Sequence, residues 1–301
     1  MKNARSASRK QTESMASPPG SSAPASHETE FRAQLLERIG ARRLELPMLP
    51  QTAADVISLC SDPRSDAARL ADLIQRDQAL AAHTLHVANS AAYAPSEPIV
   101  SLQQAISRLG TRTLCDIAVA VALRSKVFAL QGQEQRLRAM WLHSALGGGW
   151  AKEIARARRR NVEGAFLSGL LHDIGQPVVL QAALDLGRGS RLPSEALLDG
   201  LIREFHAEVG ASVLASWKLP EWMCAAVRWH HDCESAGAAV EFARTAQLAD
   251  LLSHASQAPD AETDAALRTH PVLSDLDLYE DDVEALFERR EAVLATAQAF
   301  R

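Results

Sequence analysis

The chain has 301 residues, of which 47% are hydrophobic and 23% are charged, and its formal net charge at pH 7 is −5. This composition suffices for the core of one or two domains, and the acidic balance argues against a general nucleic-acid-binding surface. No apolar run reaches the roughly 18 residues that a membrane span requires, so we expect no membrane association. The basic N-terminus lacks the apolar segment of a secretory signal.

The N-terminal segment, residues 1–28, consists mostly of Ser, Ala, Pro and Gly and contains almost no large apolar side chain. Such a segment cannot bury enough surface to offset the entropy lost on ordering. The sequence therefore predicts a disordered tail before the folded part of the protein.

From Phe31 onward, apolar residues recur at three- and four-residue spacing, which predicts helices nearly everywhere. Runs of alternating β-branched residues, which are typical of strands, are scarce. Helix ends are marked by capping residues: Ser101 precedes the segment "LQQAISRL" and Gly110 follows it. We expect an all-α protein of about twelve helices without internal repeats.

The polar stretch "QGQEQ" at residues 131–135 predicts a boundary between two helical units. The first unit would span residues 31–130 and the second residues 134–256. The remaining segment, residues 260–301, begins with an acidic stretch and ends in the pattern "DVEALFERREAVLATAQAF". It predicts an acidic linker followed by one amphipathic helix.

The four cysteines are scattered along the chain without CxxC spacing: Cys60, Cys115, Cys224 and Cys233. This distribution indicates neither a disulfide framework nor a zinc ribbon. We therefore expect reduced thiols in a cytoplasmic protein.

Two further patterns lie in the second unit. The run "RARRR" at residues 156–160 is interpreted as a solvated helix end that complements the helix dipole, with a phosphate or nucleic-acid contact as the alternative. The run "LGGGW" at residues 146–150 lies within a helical pattern and is not followed by the Lys-Ser/Thr of a phosphate-binding loop. It predicts the close approach of a neighbouring helix.

Five of the ten histidines form an ordered series with two aspartates, spread over predicted helices. The series is His143, His172 with Asp173, His206, His230 with His231, and Asp250. Imidazole nitrogens and carboxylate oxygens are suitable ligands for zinc, iron, manganese or nickel, and helices of an all-α domain can project them into one centre. The alternative is a buried polar network without metal, in which every member must be hydrogen-bonded.

The other five histidines show no spacing that indicates chemistry. They are His27, His83, His86, His254 and His270. We interpret them as ordinary, partly buried histidines with structural hydrogen bonds.

In this order, the histidines and aspartates resemble those of the HD superfamily of metal-dependent phosphohydrolases. The segment "GLLHDIG" fits the defining His-Asp stretch, and "HAEVGASVLASWKLPEWMCAAVRWHH" fits the part that follows. The first half, with "LPMLPQTAADVISLCSDP", "LADLIQRDQALAAHTLHVANSAAY" and "SLQQAISRLGTRTLCDIAVAVAL", is similar to the HDOD family, the HD-related output domain. The resemblance covers about residues 44–235. It implies an all-α, HD-domain-like multi-helix fold with an N-terminal helical subdomain.

The resemblance also implies a ligand set for one or two divalent metal ions, with Asp173 bridging them and most directly involved in any catalysis. This set consists of His143, His172, Asp173, His206, His230, His231 and Asp250, the last of which lies beyond the matched stretch. Two departures bear on activity. Gln176 stands where HD phosphohydrolases commonly carry a lysine, so the chain offers a phosphate only a neutral amide there. No Gly-Tyr-Pro signature follows the paired histidines, which argues against hydrolysis of cyclic di-GMP.

Two functions follow from these residues, and they leave open whether the protein is an enzyme. The first is a bacterial signal-transduction module that contacts signalling proteins in trans, with the HD-like pocket serving as a metal site or as a sensor of a ligand such as a nucleotide. The second is a metal-dependent phosphohydrolase acting on a nucleotide or phosphodiester. A nucleic-acid-binding regulator is disfavoured by the acidic balance.

Overall fold

The computed structural model describes residues 24–41, 43–62, 66–127, 130–188 and 192–300. Within these ranges every regular element is helical, in sixteen α-helices and one 3₁₀ helix. The predicted all-α class is confirmed, whereas the expected number of about twelve helices is too low. None of the described helices is both long and apolar enough to cross a membrane.

Six helices precede residue 130. They are α1 (Pro24–Gly40), α2 (Gln51–Ser61), α3 (Ala67–Gln75), α4 (Gln78–Ala88), α5 (Leu102–Leu109) and α6 (Thr111–Val127). Helix α6 is central to the later ones, whereas α1 packs against the helices Gly175–Gly187 and Glu195–Ser216. Helices α2, α4 and α5 pack against α6, whose residues 114–123 are all buried. The Ser101 side chain accepts a hydrogen bond from the backbone N–H of Gln104 at the start of α5, and Gly110 ends that helix with a φ of 81°, as their positions in the sequence predicted.

Helix α1 begins before the end of the expected disordered tail. Residues 1–23 of that tail lie outside the described residues, but residues 24–28 form the first turn of α1. Proline is compatible with the first turn of a helix because the amide there has no partner within the helix. The Glu28 carboxylate also accepts a hydrogen bond from the backbone N–H of Ser194, at 3.4 Å. The tail boundary at residue 28 is therefore wrong.

A disulfide joins Cys60 on α2 to Cys115 on α6, with their Cα atoms 6.2 Å apart. The expectation of reduced thiols is wrong for this pair and confirmed for Cys224 and Cys233, which are free. The two bonded cysteines are 55 residues apart in sequence, and only the packing of α2 on α6 brings them together.

The helices between residues 134 and 257, called the second unit below, surround a long helix, α7. The second unit consists of α7 (Glu134–Ala157), α8 (Val162–Leu171), α9 (Gly175–Gly187), α10 (Glu195–Ser216), α11 (Glu221–Trp229), the 3₁₀ helix Cys233–Ala239 and α12 (Val240–Gln257). Helices α8 and α12 pack along α7. A side chain at Gly147 of α7 would come within 2.6 Å of the Gly169 carbonyl oxygen on α8. The close helix approach predicted from "LGGGW" is thus confirmed.

The C-terminal segment is more ordered than expected. It forms α13 (Ala261–Arg268), α14 (Pro271–Asp275), α15 (Glu280–Glu288) and α16 (Arg290–Ala299). Two short helices therefore replace the expected acidic linker, and the single amphipathic helix is divided at Arg289. Contacts with α13 accompany this division, since Arg290 binds the Asp264 carboxylate and the Arg268 guanidinium lies 4.1 Å from the centre of the Phe287 ring. Such tertiary contacts outweigh the local helical pattern.

Helix α16 packs against the part of α7 that includes His143. The Trp141 indole N–H donates to the Phe300 carbonyl oxygen at 3.0 Å, and Val293 lies against Gly149. The third glycine of "LGGGW" is therefore also explained by a close helix neighbour. These contacts hold α7 in place around His143.

Candidate metal centre

All seven residues of the predicted ligand series meet at one place in the second unit. His143 lies on α7, His172 and Asp173 follow α8, His206 lies on α10, His230 and His231 follow α11, and Asp250 lies on α12. All are buried except His231, which is exposed. Five separate stretches of the second unit thus converge on one cluster.

One group of side chains surrounds His143. Its Nε2 atom lies 2.9 Å from Asp250 Oδ1, 3.4 Å from Asp173 Oδ2 and 3.2 Å from His172 Nε2. The His172 Nε2 atom is in turn 3.5 Å from Asp173 Oδ2 and 3.7 Å from Asp250 Oδ1. Two imidazoles and two carboxylates therefore share this half of the centre.

A second group surrounds His206. Its Nε2 atom lies 3.0 Å from His231 Nε2, 3.4 Å from His230 Nε2 and 3.3 Å from Asp173 Oδ1. The His230 Nε2 atom is 3.9 Å from the same carboxylate oxygen. Asp173 consequently presents one oxygen to each group and lies between them.

Backbone carbonyl groups fix which ring nitrogens face the centre. The Nδ1 atom of His172 lies 2.7 Å from the Gly169 oxygen, that of His230 lies 2.7 Å from the Val227 oxygen, and that of His206 lies 3.0 Å from the Ile202 oxygen. A carbonyl oxygen can only accept, so each Nδ1 carries a proton, and each imidazole, when neutral, directs an Nε2 lone pair inward. Metal-binding histidines are commonly oriented in this way.

Gly175, the glycine of "HDIG", permits the approach of the helix that carries His206. A methyl group at this position would overlap the carbonyl oxygen of His206 and approach the backbone nitrogen of Gly210 to 2.6 Å. The first turn of α9 therefore lies directly against α10, which brings His206 next to the His172–Asp173 pair.

Comparison with known proteins places these residues in a family. The HDOD domain family matches residues 46–233, more than half of the chain. The chain belongs to the HDOD family.

Two solved structures have the same fold as this HDOD protein. A candidate metal-dependent phosphohydrolase from Shewanella amazonensis SB2B has a TM-score of 0.68 at 22% identity, with 90% of this chain and 99% of that chain covered. An HDOD domain protein of unknown function from Geobacter sulfurreducens has a TM-score of 0.67 at 23% identity, with 90% and 98% covered. At this level of identity the likeness establishes the fold.

A curated relative extends well beyond the matched region. It is an uncharacterized protein of Treponema pallidum (strain Nichols), 24% identical over 214 residues. The match covers 68% of the HDOD chain but only 40% of the relative.

Gln176 of the HDOD protein contacts the bridging carboxylate. Its side-chain amide donates to Asp173 Oδ2 at 2.5 Å. The sequence indicated only that a neutral amide replaces a lysine here, and the structure adds that this amide is directed at Asp173. Among the described residues, the ion-pair partners of Asp173 and Asp250 are all histidines.

His254 also lies beside the centre, although the sequence interpretation gave it no chemical role. Its Nε2 atom is 3.3 Å from Asp250 Oδ1, and its ring centre is 4.5 Å from that of His143. His254 and Asp250 could hold a cation together with His143. The available signal was the spacing Asp250–His254, because residues four apart on a helix lie on one face.

The protonation equilibria of the cluster are strongly displaced. Burial alone would lower the pKa of His172, but the carboxylates of Asp173 and Asp250 outweigh burial and raise it to about 9. Burial would raise the pKa of Asp173, but the surrounding histidines lower it to about 2. The pKa of His230 falls to about 3 through burial and the nearby imidazoles of His172 and His231. Burial would also raise the pKa of Asp250, but hydrogen bonds with His143, His172 and His254 lower it. Both carboxylates are therefore charged.

The donor set fits divalent transition-metal ions. Zinc–nitrogen bonds of about 2.0–2.1 Å place two tetrahedral ligands about 3.3 Å apart, and the Nε2–Nε2 separations here are 3.0, 3.2 and 3.4 Å. Where both imidazoles of such a pair are neutral, their Nε2 lone pairs face one another without a proton to share, and a metal ion would satisfy both; on His172 the ion would displace the proton. His143, His172, Asp173 and Asp250 would hold one ion, and His206, His230, His231 and Asp173 a second.

Proposed function

We propose that this HDOD protein is a bacterial, cytoplasmic signal-transduction module that holds two divalent metal ions and acts through contacts with signalling proteins. The observation that carries the metal-binding part is the position of Asp173, whose two oxygens face two separate groups of imidazoles. The metals would fix α7, α8, α10, α11 and α12 around one point. Such a fixed helical unit is a suitable platform for protein contacts.

The environment of Asp173 favours a regulatory role over phosphoester hydrolysis. A phosphohydrolase benefits from a cation that neutralises the charge developing on the phosphate. At the position where HD enzymes carry a lysine, Gln176 donates its neutral amide to Asp173. This residue therefore supplies no positive charge and is already bound to the bridging carboxylate.

The second candidate is a metal-dependent phosphohydrolase acting on a nucleotide or phosphodiester. The complete ligand series with a bridging carboxylate favours it. A bound metal pair would lower the pKa of a coordinated water so that it becomes a nucleophile near neutral pH. The chain itself would supply the imidazoles and the Asp173 carboxylate that orient the metals.

Metal analysis tests the centre directly. We expect the purified protein, reconstituted with Mn²⁺, Fe²⁺, Zn²⁺ or Ni²⁺ and measured by plasma mass spectrometry, to retain about two ions per chain. Asp173→Asn should lose at least one of them, because it removes the charge shared by both groups. Asp185→Asn is the matched control, since Asp185 lies on α9 and pairs with Gln181 on that helix and with Arg188 just after it. Equal metal content in wild type and Asp173→Asn would contradict the proposal.

Turnover separates the two candidates. The metal-loaded protein is assayed against bis(p-nitrophenyl) phosphate, nucleoside mono- and triphosphates, and cyclic nucleotides. The regulatory proposal predicts no turnover beyond that of the Asp173→Asn variant. Hydrolysis that disappears in both His172→Ala and Asp173→Asn would overturn it and establish the phosphohydrolase.

A further inference from the structure

A cavity enclosed by α7, α8 and α12 has none of the proposed metal ligands among its lining residues. Its volume is about 240 Å³. The side chains that line its inner part are small, among them Ala155 on α7, Ala165 on α8 and Ala246 on α12. Because alanine and glycine leave the space between three packed helices unfilled, the cavity is a consequence of the sequence.

One of the residues that line this cavity is a buried serine whose hydroxyl group has no partner among the described residues. Ser168 is 4% exposed and lines the cavity, and its Oγ atom has no hydrogen-bond partner among the described residues. An unpaired polar group of this kind costs on the order of 1–3 kcal/mol and normally has a water or ligand partner. The lining of the cavity thus includes one buried hydroxyl group that has no hydrogen-bond partner in the described part of the chain.

The mouth of the cavity carries two guanidinium groups and one carboxylate. Arg158 Nη1 and Arg160 Nε both donate to the same oxygen of Glu241, at 2.8 and 2.7 Å. Arg158 is further held by the Leu276 carbonyl oxygen, whereas the side chain of Arg160 is 58% exposed. These cations belong to the "RARRR" run. Their interpretation as a solvated helix end is incomplete, because the Arg158 side chain is only 8% exposed.

The charges at the mouth define the ligand class. Two positive groups and one negative group leave a net charge of +1, and the other lining residues are neutral. This balance suits a carboxylate, which carries one negative charge, better than a phosphate monoester, which carries nearly two at pH 7. The Phe242 ring in the wall is held in place by Trp222, with ring centres 4.4 Å apart.

We propose that this cavity binds a small monocarboxylate with a compact apolar body, such as an aromatic acid. The carboxylate would meet Arg160 at the mouth, the body would fill the space between the alanines, and a distal hydroxyl would reach Ser168. The size is appropriate, because a dry cavity of about 150 Å³ admits benzene. Gly169 lines the cavity, and its carbonyl oxygen accepts from His172. The cavity therefore adjoins the candidate metal centre, although no proposed metal ligand lines it.

Isothermal titration of the full chain with benzoate, 4-hydroxybenzoate and benzyl alcohol tests this proposal. We expect benzoate to bind with a Kd on the order of 1 mM or tighter, as a nine-atom ligand allows. 4-Hydroxybenzoate should bind more tightly and lose that advantage in Ser168→Ala. Benzyl alcohol, which has a similar body without the charge, should bind on the order of tenfold more weakly.

A matched pair of arginine variants locates the binding site. Arg160→Gln should weaken benzoate binding on the order of tenfold, whereas Arg159→Gln, one position earlier and outside the lining, should leave it unchanged. Neither variant alters a buried apolar contact, so both are expected to fold. No heat of binding at about 10 mM benzoate, tenfold above the expected Kd, would overturn the proposal. Equal affinities for benzoate and benzyl alcohol, or for the two arginine variants, would do the same.

Discussion

Asp173 lies between the two groups of imidazoles. Its negative charge stabilises the proton that the neighbouring His172 carries. His172 has a pKa of about 9 because Asp173 and Asp250 stabilise its charged form more than burial disfavours it. Without metal, His172 is thus a cation at neutral pH. A metal ion that binds its Nε2 atom must displace this proton.

Metal affinity should therefore depend on pH in the range set by His172. Below pH 9 the proton competes with the ion, so we expect affinity to rise by up to about tenfold per pH unit between pH 7 and 9 and then to level off. Competition with a chromophoric chelator across this range measures the effect. An affinity that changes only below pH 6.5, the ordinary pKa of histidine, would contradict the raised pKa.

The raised pKa of His172 has the opposite effect on the stability of the metal-free protein. A folded-state pKa above the unfolded value stabilises the folded state fully below about pH 6.5, and the contribution is lost as pH rises through about 9. Metal binding and metal-free stability should thus change in opposite directions with pH. This contrast distinguishes a competing proton from a general loss of structure.

At the scale of elements, the crossing of α7 and α8 decides where His143 and His172 lie. Gly147 and Gly169 permit the two backbones to approach closely, and the Gly169 carbonyl also orients the His172 ring. A side chain at either position would separate the helices. Close packing of this kind tolerates little added volume.

Gly169→Ala should therefore destabilise the protein, because the added methyl group meets the Gly147 backbone. Overpacking of this kind costs about 1–3 kcal/mol or more. Gly200→Ala is the matched control on α10, where a side chain would meet nothing within 4 Å, and it should be stabilising by about 0.5–1 kcal/mol. Denaturant unfolding measures both. Similar free energies of unfolding for the two variants would rule out the close crossing as the reason for the glycine.

At the scale of the whole molecule, the proposed metal ligands come from residues 143–250, so the centre joins elements that are distant in sequence. An ion that binds only when these elements are assembled stabilises the folded state by mass action. The metal would thus contribute to the fold as well as to any chemistry.

Chelation should lower the Tm of the metal-loaded protein. A ligand at 100 times its Kd stabilises the folded state by about 2.7 kcal/mol, which in a chain of this size corresponds to several degrees. Differential scanning calorimetry with and without EDTA measures the shift. Asp173→Asn should show little response, whereas Asp185→Asn should respond like the wild type. An unchanged Tm for metal-loaded wild type after chelation would contradict metal binding by the folded state alone.

Local patterns were sufficient for much of the fold. The spacing of apolar residues predicted the all-α class, Ser101 and Gly110 marked the ends of α5, and the glycines of "LGGGW" indicated a close helix neighbour. The order of histidines and aspartates identified seven residues that the structure brings together. Each of these features is carried by short segments or by the order of a few residue types along the chain, so they can be recognised without coordinates.

Only the tertiary structure decided the rest, because the decisive contacts join residues far apart in the chain. The Cys60–Cys115 disulfide depends on the packing of α2 against α6, and the division between α15 and α16 accompanies contacts with α13. Helix crossings likewise decide that Asp173 lies between two groups of imidazoles and that His254 lies beside His143. They also leave Ser168 beside a cavity, without a partner among the described residues. A sequence determines which side chains a helix presents, whereas packing determines which of them meet.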